Sequence, residues 1–156
     1  MTATKTATTI DVNTVGPQLQ DSLVELIDLA LQAKQAHWNV TGSHFRPVHL
    51  HLDELTAEVR KASDEVAERA SAIGYSPDGR ASTVAKNSPL DDFPEGPVPD
   101  GEVARMISDR LAIVAERMRA RCEGLDEADK VSQDILLGVL AMLDKHHWMF
   151  EAETER

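Results

Sequence analysis

The chain has 156 residues, of which 42% are hydrophobic and only 4% aromatic, which fits one domain of packed aliphatic helices better than a β-sandwich. Its formal net charge of −11 argues against a body that binds a nucleic-acid phosphate backbone, and is compatible with the attraction of cations. The single cysteine, Cys122, excludes an internal disulfide, and neither a signal peptide nor a membrane-length apolar run is visible, so we expect a cytoplasmic protein.

The chain opens with a predicted arm and a long predicted helix. Residues 1–15 are rich in threonine and alanine, and we expect a mostly flexible arm that precedes a single bundle domain of residues 16–154. The first helix should begin at Gly16, because the Gly-Pro pair opens a run of apolar residues at helical spacing. It should end near Val40, just before Gly42, since glycine is the usual stop at a helix C-terminus.

The second predicted helix spans residues 46–73. Pro47 suits its first turn, where the missing N–H costs nothing, and no glycine or further proline interrupts the pattern before Gly74. The connection from the first helix is short, so the two helices should be antiparallel neighbours. The apolar positions that define this helix are Leu50, Leu52, Leu55, Val59 and Val66.

This second helix also carries four potential metal ligands on one side. At about 100° per residue, with His49 at zero, Asp53 lies at about 40°, Asp64 at about 60° and Glu68 at about 100°. Asp53 and Asp64 are nevertheless about 16 Å apart along the axis, so one helix cannot bring both to one ion. Two copies packed antiparallel across a two-fold axis near Glu58 would set Asp53 beside the partner's Asp64, and His49 beside the partner's Glu68.

The chemistry of these residues favours iron. Imidazole combined with carboxylates, and open to water, suits iron(II) better than a closed structural zinc site does. Carboxylates on a helix usually belong to a solvated face, but here three of them share a side with a histidine. We interpret His44 and His51 as ordinary surface or core residues, because His51 lies about 200° from His49 on the helical wheel.

Residues 74–100 form a predicted crossover. Prolines and glycines break any long helix there, although residues 81–87 could form a short one. The next long helix should have Asp100 as its N-cap and end at Gly124, and Asp126 should cap the last helix. The result is an all-α, ferritin-like four-helix bundle with one long crossover.

Residues across the first two helices resemble a family signature. The pattern runs Lys34-x-x-His37-Trp38-x-Val40-x-Gly42-x-x-Phe45-x-x-x-His49-x-x-x-Asp53, followed by Asp64-Glu65-x-Ala67-Glu68-Arg69. This long motif resembles the signature of the Dps proteins, the DNA-binding proteins from starved cells, which are also known as miniferritins. The segment SQDIL at residues 132–136, together with Trp148, resembles the family's last helix, so the resemblance covers residues 15–152.

The resemblance implies a hollow homododecamer that oxidises iron(II), mostly with hydrogen peroxide but also with O2, and stores iron(III) mineral inside. Such a cage would protect DNA from oxidative damage. The resemblance also implies a ligand set, in which His37, His49 and Asp53 come from one subunit and Asp64 and Glu68 from its two-fold partner. The helical wheel gives the same pairing from spacing alone, except for His37, which only the resemblance includes.

The resemblance further implies a route by which iron reaches the interior. In the family, acidic residues near the start of the last helix line a pore at one of the three-fold axes, and Asp134 matches one such position. Asp126, Glu127 and Asp129 lie within two turns of it, whereas Lys130 departs from the pattern, because an acidic residue often stands there. A plainer interpretation is that Asp126 caps the helix and Asp129 complements the helix dipole.

Other potential metal-binding or redox-active side chains have two interpretations. His146 and His147 could form a second metal site with Asp144, although histidines are more often packing or surface residues. Trp38 and Trp148 should be packing residues. The resemblance also allows Trp38 to lie beside the iron site and take up an oxidising equivalent.

Three classes of function are compatible with the sequence: a ferroxidase and iron store, a DNA-compacting nucleoid protein with little redox turnover, and a metal-buffering cage without redox turnover. DNA binding in the family often uses a lysine-rich tail, whereas Lys5 is the only lysine of the arm. With a net charge of −11 per chain, twelve copies would repel DNA, which argues against direct DNA binding at physiological salt. We therefore favour the first class and leave nucleoid association open.

Overall fold

The computed structural model describes residues 9–154 as five helices and two very short strands. In chain order these are α1 (Val12–Asn39), β1 (Val40–Thr41), α2 (Phe45–Ala72), α3 (Ala81–Asn87), β2 (Val98–Pro99), α4 (Asp100–Gly124) and α5 (Lys130–Thr154). The short helix α3 occupies the predicted range, and α2 differs from its prediction by one residue at each end. Of the flexible arm predicted for residues 1–15, residues 1–8 lie outside the described residues, and residues 12–15 belong to α1.

The four long helices pack as two pairs around one apolar core. Helix α1 packs mainly against α2, and α4 mainly against α5, while the crossover between the pairs contains α3. The largest fully buried aliphatic side chains are Leu19, Leu26, Leu29, Leu52, Leu55, Ile107, Leu111, Met118, Leu125, Leu136 and Leu143. Each of these contributes about 1.5–3 kcal/mol to folding. The predicted four-helix bundle with one long crossover is therefore confirmed, and none of its helices between residues 9 and 154 has the length and apolarity to span a membrane.

Helix α1 begins earlier than predicted, because Asp11 caps it. The Asp11 carboxylate accepts the backbone N–H of Asn13 at 3.1 Å and the hydroxyl of Thr14 at 2.7 Å. The first of these bonds satisfies one of the amide groups that a helix N-terminus otherwise leaves unpaired. The predicted start at Gly16 is therefore wrong, and Pro17 lies inside the helix rather than at its opening.

The two short strands hold the α1–α2 turn against the start of α4. Val40 of β1 pairs with Val98 of β2 in parallel, and the next pair is Thr41 with Pro99. Asp100 then accepts the backbone N–H of His44 at 2.6 Å. Gly42 is required in this turn, because its φ is 123° and a Cβ atom would lie 2.5 Å from Asp100 Oδ2. The sequence did not predict this bridge, which joins segments far apart in the chain.

A buried arginine fixes the crossover to the bundle. Arg110 of α4 hydrogen-bonds through Nε to Gln32 of α1, and its Nη2 donates to the carbonyl oxygens of Asp91 and Asp92, each at 3.2 Å. The guanidinium also lies 5.3 Å from the ring centroid of Phe93. Burial lowers the pKa of Arg110 from its ordinary value, so these carbonyl and ring contacts compensate for the water that the cation has lost.

Helix α5 begins after the position that the sequence predicted. The prediction that Asp126 caps the helix is wrong, because α5 starts at Lys130 and Asp129 Oδ1 accepts the backbone N–H of Val131 at 3.2 Å. The other oxygen of Asp129 pairs with Arg69 Nη2 at 2.7 Å, which links the start of α5 to the end of α2. Asp126 instead pairs with Lys130 one turn along the chain.

Candidate metal site

The end of α1 and the first turns of α2 bring His37 and His49 together. Their rings stack with centroids 3.7 Å apart and planes inclined by 15°. The Nδ1 atom of His37 lies 2.7 Å from the backbone carbonyl oxygen of His49, and the Nδ1 atom of His49 lies 2.8 Å from that of His37. Because a carbonyl can only accept, each Nδ1 carries the proton in these bonds. In the neutral imidazoles, both Nε2 atoms then keep a free lone pair for a metal ion.

Asp53 lies one turn after His49 on α2 and holds a negative charge. Its carboxylate pairs with the ammonium group of Lys34 from α1. The hydrogen bond from Lys34 is the main cause that lowers the pKa of Asp53, and the positive charge of Lys34 acts in the same direction. The side chain of Asp53 is 55% exposed, so the carboxylate is accessible to an ion from solution.

Asp64 and Glu68 lie on the same helix but farther along it. Both are exposed on α2, and Asp64 is about 16 Å from Asp53 along the helix axis. The chain therefore sets Asp53 one turn along α2 from the stacked pair of His37 and His49, and leaves Asp64 and Glu68 farther along that helix. Among residues 9–154, no three or more His, Cys, Asp and Glu side chains of one chain converge closely enough to hold a metal ion.

The two tryptophans do not pack within one chain. Trp38 follows His37 on α1 with 69% of its surface exposed, and Trp148 of α5 is 63% exposed. The expectation that both are packing residues is therefore not met inside the bundle.

A buried histidine pair lies on the inner side of α2. His51 Nε2 is 3.0 Å from His146 Nδ1, and His146 Nε2 is 3.1 Å from Glu58 Oε2. The ring of His51 also stacks on Phe150 with centroids 3.9 Å apart. His51 is thus a core residue and His44 a surface residue, as predicted. Sequence analysis missed this network, whose only local signal is the seven-residue spacing that puts His51 and Glu58 on one helix face.

The suggested second metal site is not assembled. His147 turns towards α4, where its Nδ1–H donates to the backbone carbonyl oxygen of Ser108 at 3.1 Å. Asp144 pairs instead with Arg119 at 2.9 Å. Since His146 faces α2, while His147 and Asp144 contact different residues of α4, the three side chains do not converge. Adjacent positions on a helix are about 100° apart, which explains why His146 and His147 diverge.

The acidic residues near the start of α5 differ in their availability. Asp134, Glu127 and Asp126 are exposed, whereas Asp129 is only 8% exposed. Burial alone would raise the pKa of Asp129, but the hydrogen bonds from Arg69 and Ser132 outweigh it and lower that pKa. Asp129 is therefore an internal ion-pair and capping residue, and its carboxylate is less available to line a pore than the three exposed ones.

Comparison with known sequences gives a consistent result. The Ferritin-like domain family matches residues 17–156. The chain is 36% identical over 143 residues to a DNA protection during starvation protein of Mycolicibacterium smegmatis, covering 90% of this chain and 77% of that protein. DNA protection during starvation protein 2 of Deinococcus radiodurans is 34% identical over 134 residues, which cover 86% of this chain and 56% of the relative. The chain thus spans little more than half the length of that relative.

Solved structures agree with the sequence comparison. Dps from Mycobacterium smegmatis, in a tetragonal crystal form, superposes with a TM-score of 0.92 at 32% identity, covering 100% of this chain and 96% of that one. Dps92 from Deinococcus radiodurans superposes with a TM-score of 0.89 at 33% identity, covering 91% and 86% of the two chains. On fold, sequence and signature alike, the chain belongs to the Dps family of ferritin-like proteins.

Proposed function

We propose that this chain is a ferroxidase that assembles into a hollow homododecamer, oxidises iron(II) at its two-fold dimer interfaces and stores iron(III) mineral inside. The observation that carries the proposal is the reciprocal hydrogen bonding of His37 and His49. It fixes both imidazoles in the tautomer that leaves Nε2 free, beside the charged carboxylate of Asp53. Two such nitrogens with one carboxylate suit iron(II), and they leave positions open for an oxidant.

A second copy of the chain would complete the site. Asp64 and Glu68 are exposed on the same helix as Asp53, but too far along it to reach the same ion. Antiparallel packing of two α2 helices would bring them to the imidazoles of the partner and create two equivalent sites per dimer. The carboxylates bind both iron(II) and iron(III), so they can hold the ion through the change of charge.

The proposed chemistry is a two-electron reduction of hydrogen peroxide, with O2 as an alternative oxidant. Two iron(II) ions each lose one electron, and hydrogen peroxide takes up both electrons and two protons to give two molecules of water. No hydroxyl radical is released when both electrons are transferred at one site. Trp38, exposed and next to His37, would take up a stray oxidising equivalent. This reaction would protect DNA from oxidative damage, in agreement with the names of the relatives.

The test measures iron and peroxide together. Under anaerobic conditions, the wild-type protein should consume one hydrogen peroxide for every two iron(II) ions, and light scattering should report a particle of about twelve chains. The His49→Ala variant should form the same particle and oxidise iron no faster than free solution does. A wild-type particle without peroxide turnover would instead favour a metal-buffering cage, and a gel shift that persists at physiological salt would favour a DNA-compacting role.

We further propose that the protein acts in the cytoplasm and that Asp134 lines a pore for iron uptake. Asp134, Glu127 and Asp126 are exposed near the start of α5, so three chains could supply a ring of negative charge there. Asp126 already forms an ion pair with Lys130, and the hydrogen bond from Lys130 lowers the pKa of Asp126. Asp134 therefore remains the principal candidate, supported by its match to the family pattern.

A further inference from the structure

Lys34 places a positive charge at the candidate site where a metal ion would bind. It lies one turn before His37 on α1, and its ammonium group hydrogen-bonds to Asp53 Oδ1 from the neighbouring helix. The Lys34 side chain is only 20% exposed, whereas that of Asp53 is 55% exposed. The long side chain of Lys34 is therefore largely covered by protein, and its cation is directed at the carboxylate.

The ammonium group of Lys34 blocks only one of the two kinds of metal ligand at this site. It pairs with the carboxylate of Asp53, which would supply oxygen to a metal ion. The other two metal ligands that the same chain supplies are the Nε2 atoms of His37 and His49, which remain free because their Nδ1 atoms are held by backbone carbonyls. An incoming ion must therefore displace the ammonium group to reach the carboxylate, but it meets no competitor at the two nitrogens.

Metal ions differ in what they gain from these two kinds of donor. Mg²⁺ and Ca²⁺ take oxygen ligands, so Asp53 is the group of this chain that would attract them, and the positive charge of Lys34 also opposes their approach to the carboxylates that a second copy would add. Iron(II) and related transition metals bind imidazole well, and two free nitrogens compensate for the displacement of Lys34. We propose that Lys34 is a specificity-determining residue that excludes Mg²⁺ and Ca²⁺ from the metal site. This proposal rests on the ferroxidase site proposed above.

The test uses Co²⁺, a transition-metal probe that is stable without oxygen and whose absorption spectrum reports its ligands. Wild-type, Lys34→Gln, Lys34→Arg and Lys86→Gln particles are titrated with Co²⁺ with and without millimolar Mg²⁺. Lys86 is an exposed lysine of α3, and its substitution removes the same charge far from the histidines. In Lys34→Gln, Mg²⁺ should weaken the apparent Co²⁺ affinity by about two- to fivefold, as expected for the loss of a partly exposed ion pair.

The other proteins define what supports and what overturns the proposal. Wild-type, Lys34→Arg and Lys86→Gln should show little effect of Mg²⁺, because each keeps a cation beside Asp53. Equal Mg²⁺ sensitivity in Lys34→Gln and wild type would overturn the proposal. Weaker Co²⁺ binding by Lys34→Gln in the absence of Mg²⁺ would also overturn it, since Lys34 would then only position Asp53.

A His49→Ala particle in the same titration separates this proposal from the proposed function. If His49→Ala binds Co²⁺ as wild type does, the metal site lies elsewhere, and both the ferroxidase assignment and the role of Lys34 are overturned. If His49→Ala loses Co²⁺ binding while Lys34→Gln keeps the selectivity of wild type, the site stands and only the role of Lys34 fails.

Discussion

His37 and His49 each donate their Nδ1–H to the backbone carbonyl oxygen of the other, at 2.7 and 2.8 Å. The bonds connect the end of α1 to the start of α2, so the two imidazoles are held in place before any ion arrives. A preformed pair of nitrogen donors loses little side-chain entropy on binding a metal. The remaining ligands of the proposed site then decide whether it belongs to one chain or to two.

Complementation distinguishes one chain from two. His49→Ala and Asp64→Ala proteins should each be inactive in iron oxidation. When the two are unfolded and reassembled together, some dimers contain one chain of each kind, and one of their two sites has an intact His49 and an intact Asp64. We expect partial recovery of the oxidation rate, measured by absorbance of iron(III). Mixed particles of normal mass that stay inactive would contradict the cross-dimer site.

The second prediction concerns the uptake of iron. Asp134→Asn should slow the uptake of iron(II) without changing particle mass, because a ring of carboxylates concentrates cations at a pore. Salt screens this attraction, so the variant should also depend less on ionic strength than wild type does. The control is Asp21→Asn, which removes an exposed carboxylate from α1. Equal uptake by Asp134→Asn and wild type at low salt would move the pore elsewhere.

The third prediction follows from the burial of His146. Burial lowers the pKa of His146 below its ordinary value of about 6.5, although Glu58 acts in the opposite direction. As pH falls below about 6.5, the unfolded chain therefore binds this proton before the folded chain does, and the free energy of unfolding decreases. Above that pH the histidine is neutral in both states and the effect is absent.

Thermal unfolding of the particle at fixed protein concentration measures this dependence. The His146→Gln variant should lose less stability than wild type between neutral and mildly acidic pH, because it has no group to titrate at this position. The exposed His44→Gln variant should keep the pH dependence of wild type. The interpretation fails if His146→Gln and wild type lose the same stability on acidification.

The fourth prediction concerns the crossover. Arg110→Ala should lower the free energy of unfolding by about 2–4 kcal/mol, because it leaves the Gln32 side-chain oxygen and the Asp92 carbonyl without their donor and removes the cation from the ring of Phe93. Arg105→Ala, on the exposed side of the same helix, should change stability by less than about 0.5 kcal/mol. Limited proteolysis of Arg110→Ala should also cut near Phe93 faster than in wild type. Similar losses in both variants would show that the buried contacts carry no special weight.

The fifth prediction tests the turn between α1 and α2. Gly42→Ala should cost about 1–3 kcal/mol, because the residue has a φ of 123° and its Cβ would collide with Asp100. Binding of Co²⁺ should weaken as well, since the turn fixes the distance between the helices that carry His37 and His49. Gly101→Ala is the matched control, because its Cβ would meet no atom within 4 Å. Unchanged metal affinity in Gly42→Ala would separate the turn from the site.

The helices could be predicted from the sequence because their signals are local. The spacing of apolar residues and the positions of glycine and proline were enough to place α2 within one residue at each end and α3 in its full range. The helix starts were harder, because a residue's type alone does not show whether its side chain bonds to the first amides. Asp100, the predicted N-cap of α4, is the first residue of that helix, and Pro99 occupies the cap position. Asp11 rather than the Gly-Pro pair begins α1, and Asp129 rather than Asp126 begins α5. Which aspartate caps depends on tertiary contacts such as the pairing of Asp129 with Arg69.

The candidate site was only partly accessible from the sequence. The helical wheel put Asp53 on the side of His49, but His37 belongs to another helix and entered only through the family resemblance. The pairing of Lys34 with Asp53 was not expected, although Lys34 is the first residue of the motif. Contacts between helices depend on their rotation and separation, which the periodicity of a single helix does not determine.

The parallel pairing of Val40 with Val98 divides the crossover into two parts that differ in how freely their length can change. Residues 98–100 are tied to the turn that carries the histidines, so an insertion there would shift the imidazoles. The stretch between α3 and Phe93 is held to the bundle by Arg110, by the bond from Gln32 to the Asp91 carbonyl and by the buried side chain of Leu90. Residues 94–97, between Phe93 and β2, are instead mostly exposed, and they form the less constrained stretch of the crossover. We therefore expect homologous chains to differ in length within this stretch without a change in their metal chemistry. Gaps in an alignment of the family should lie mostly there.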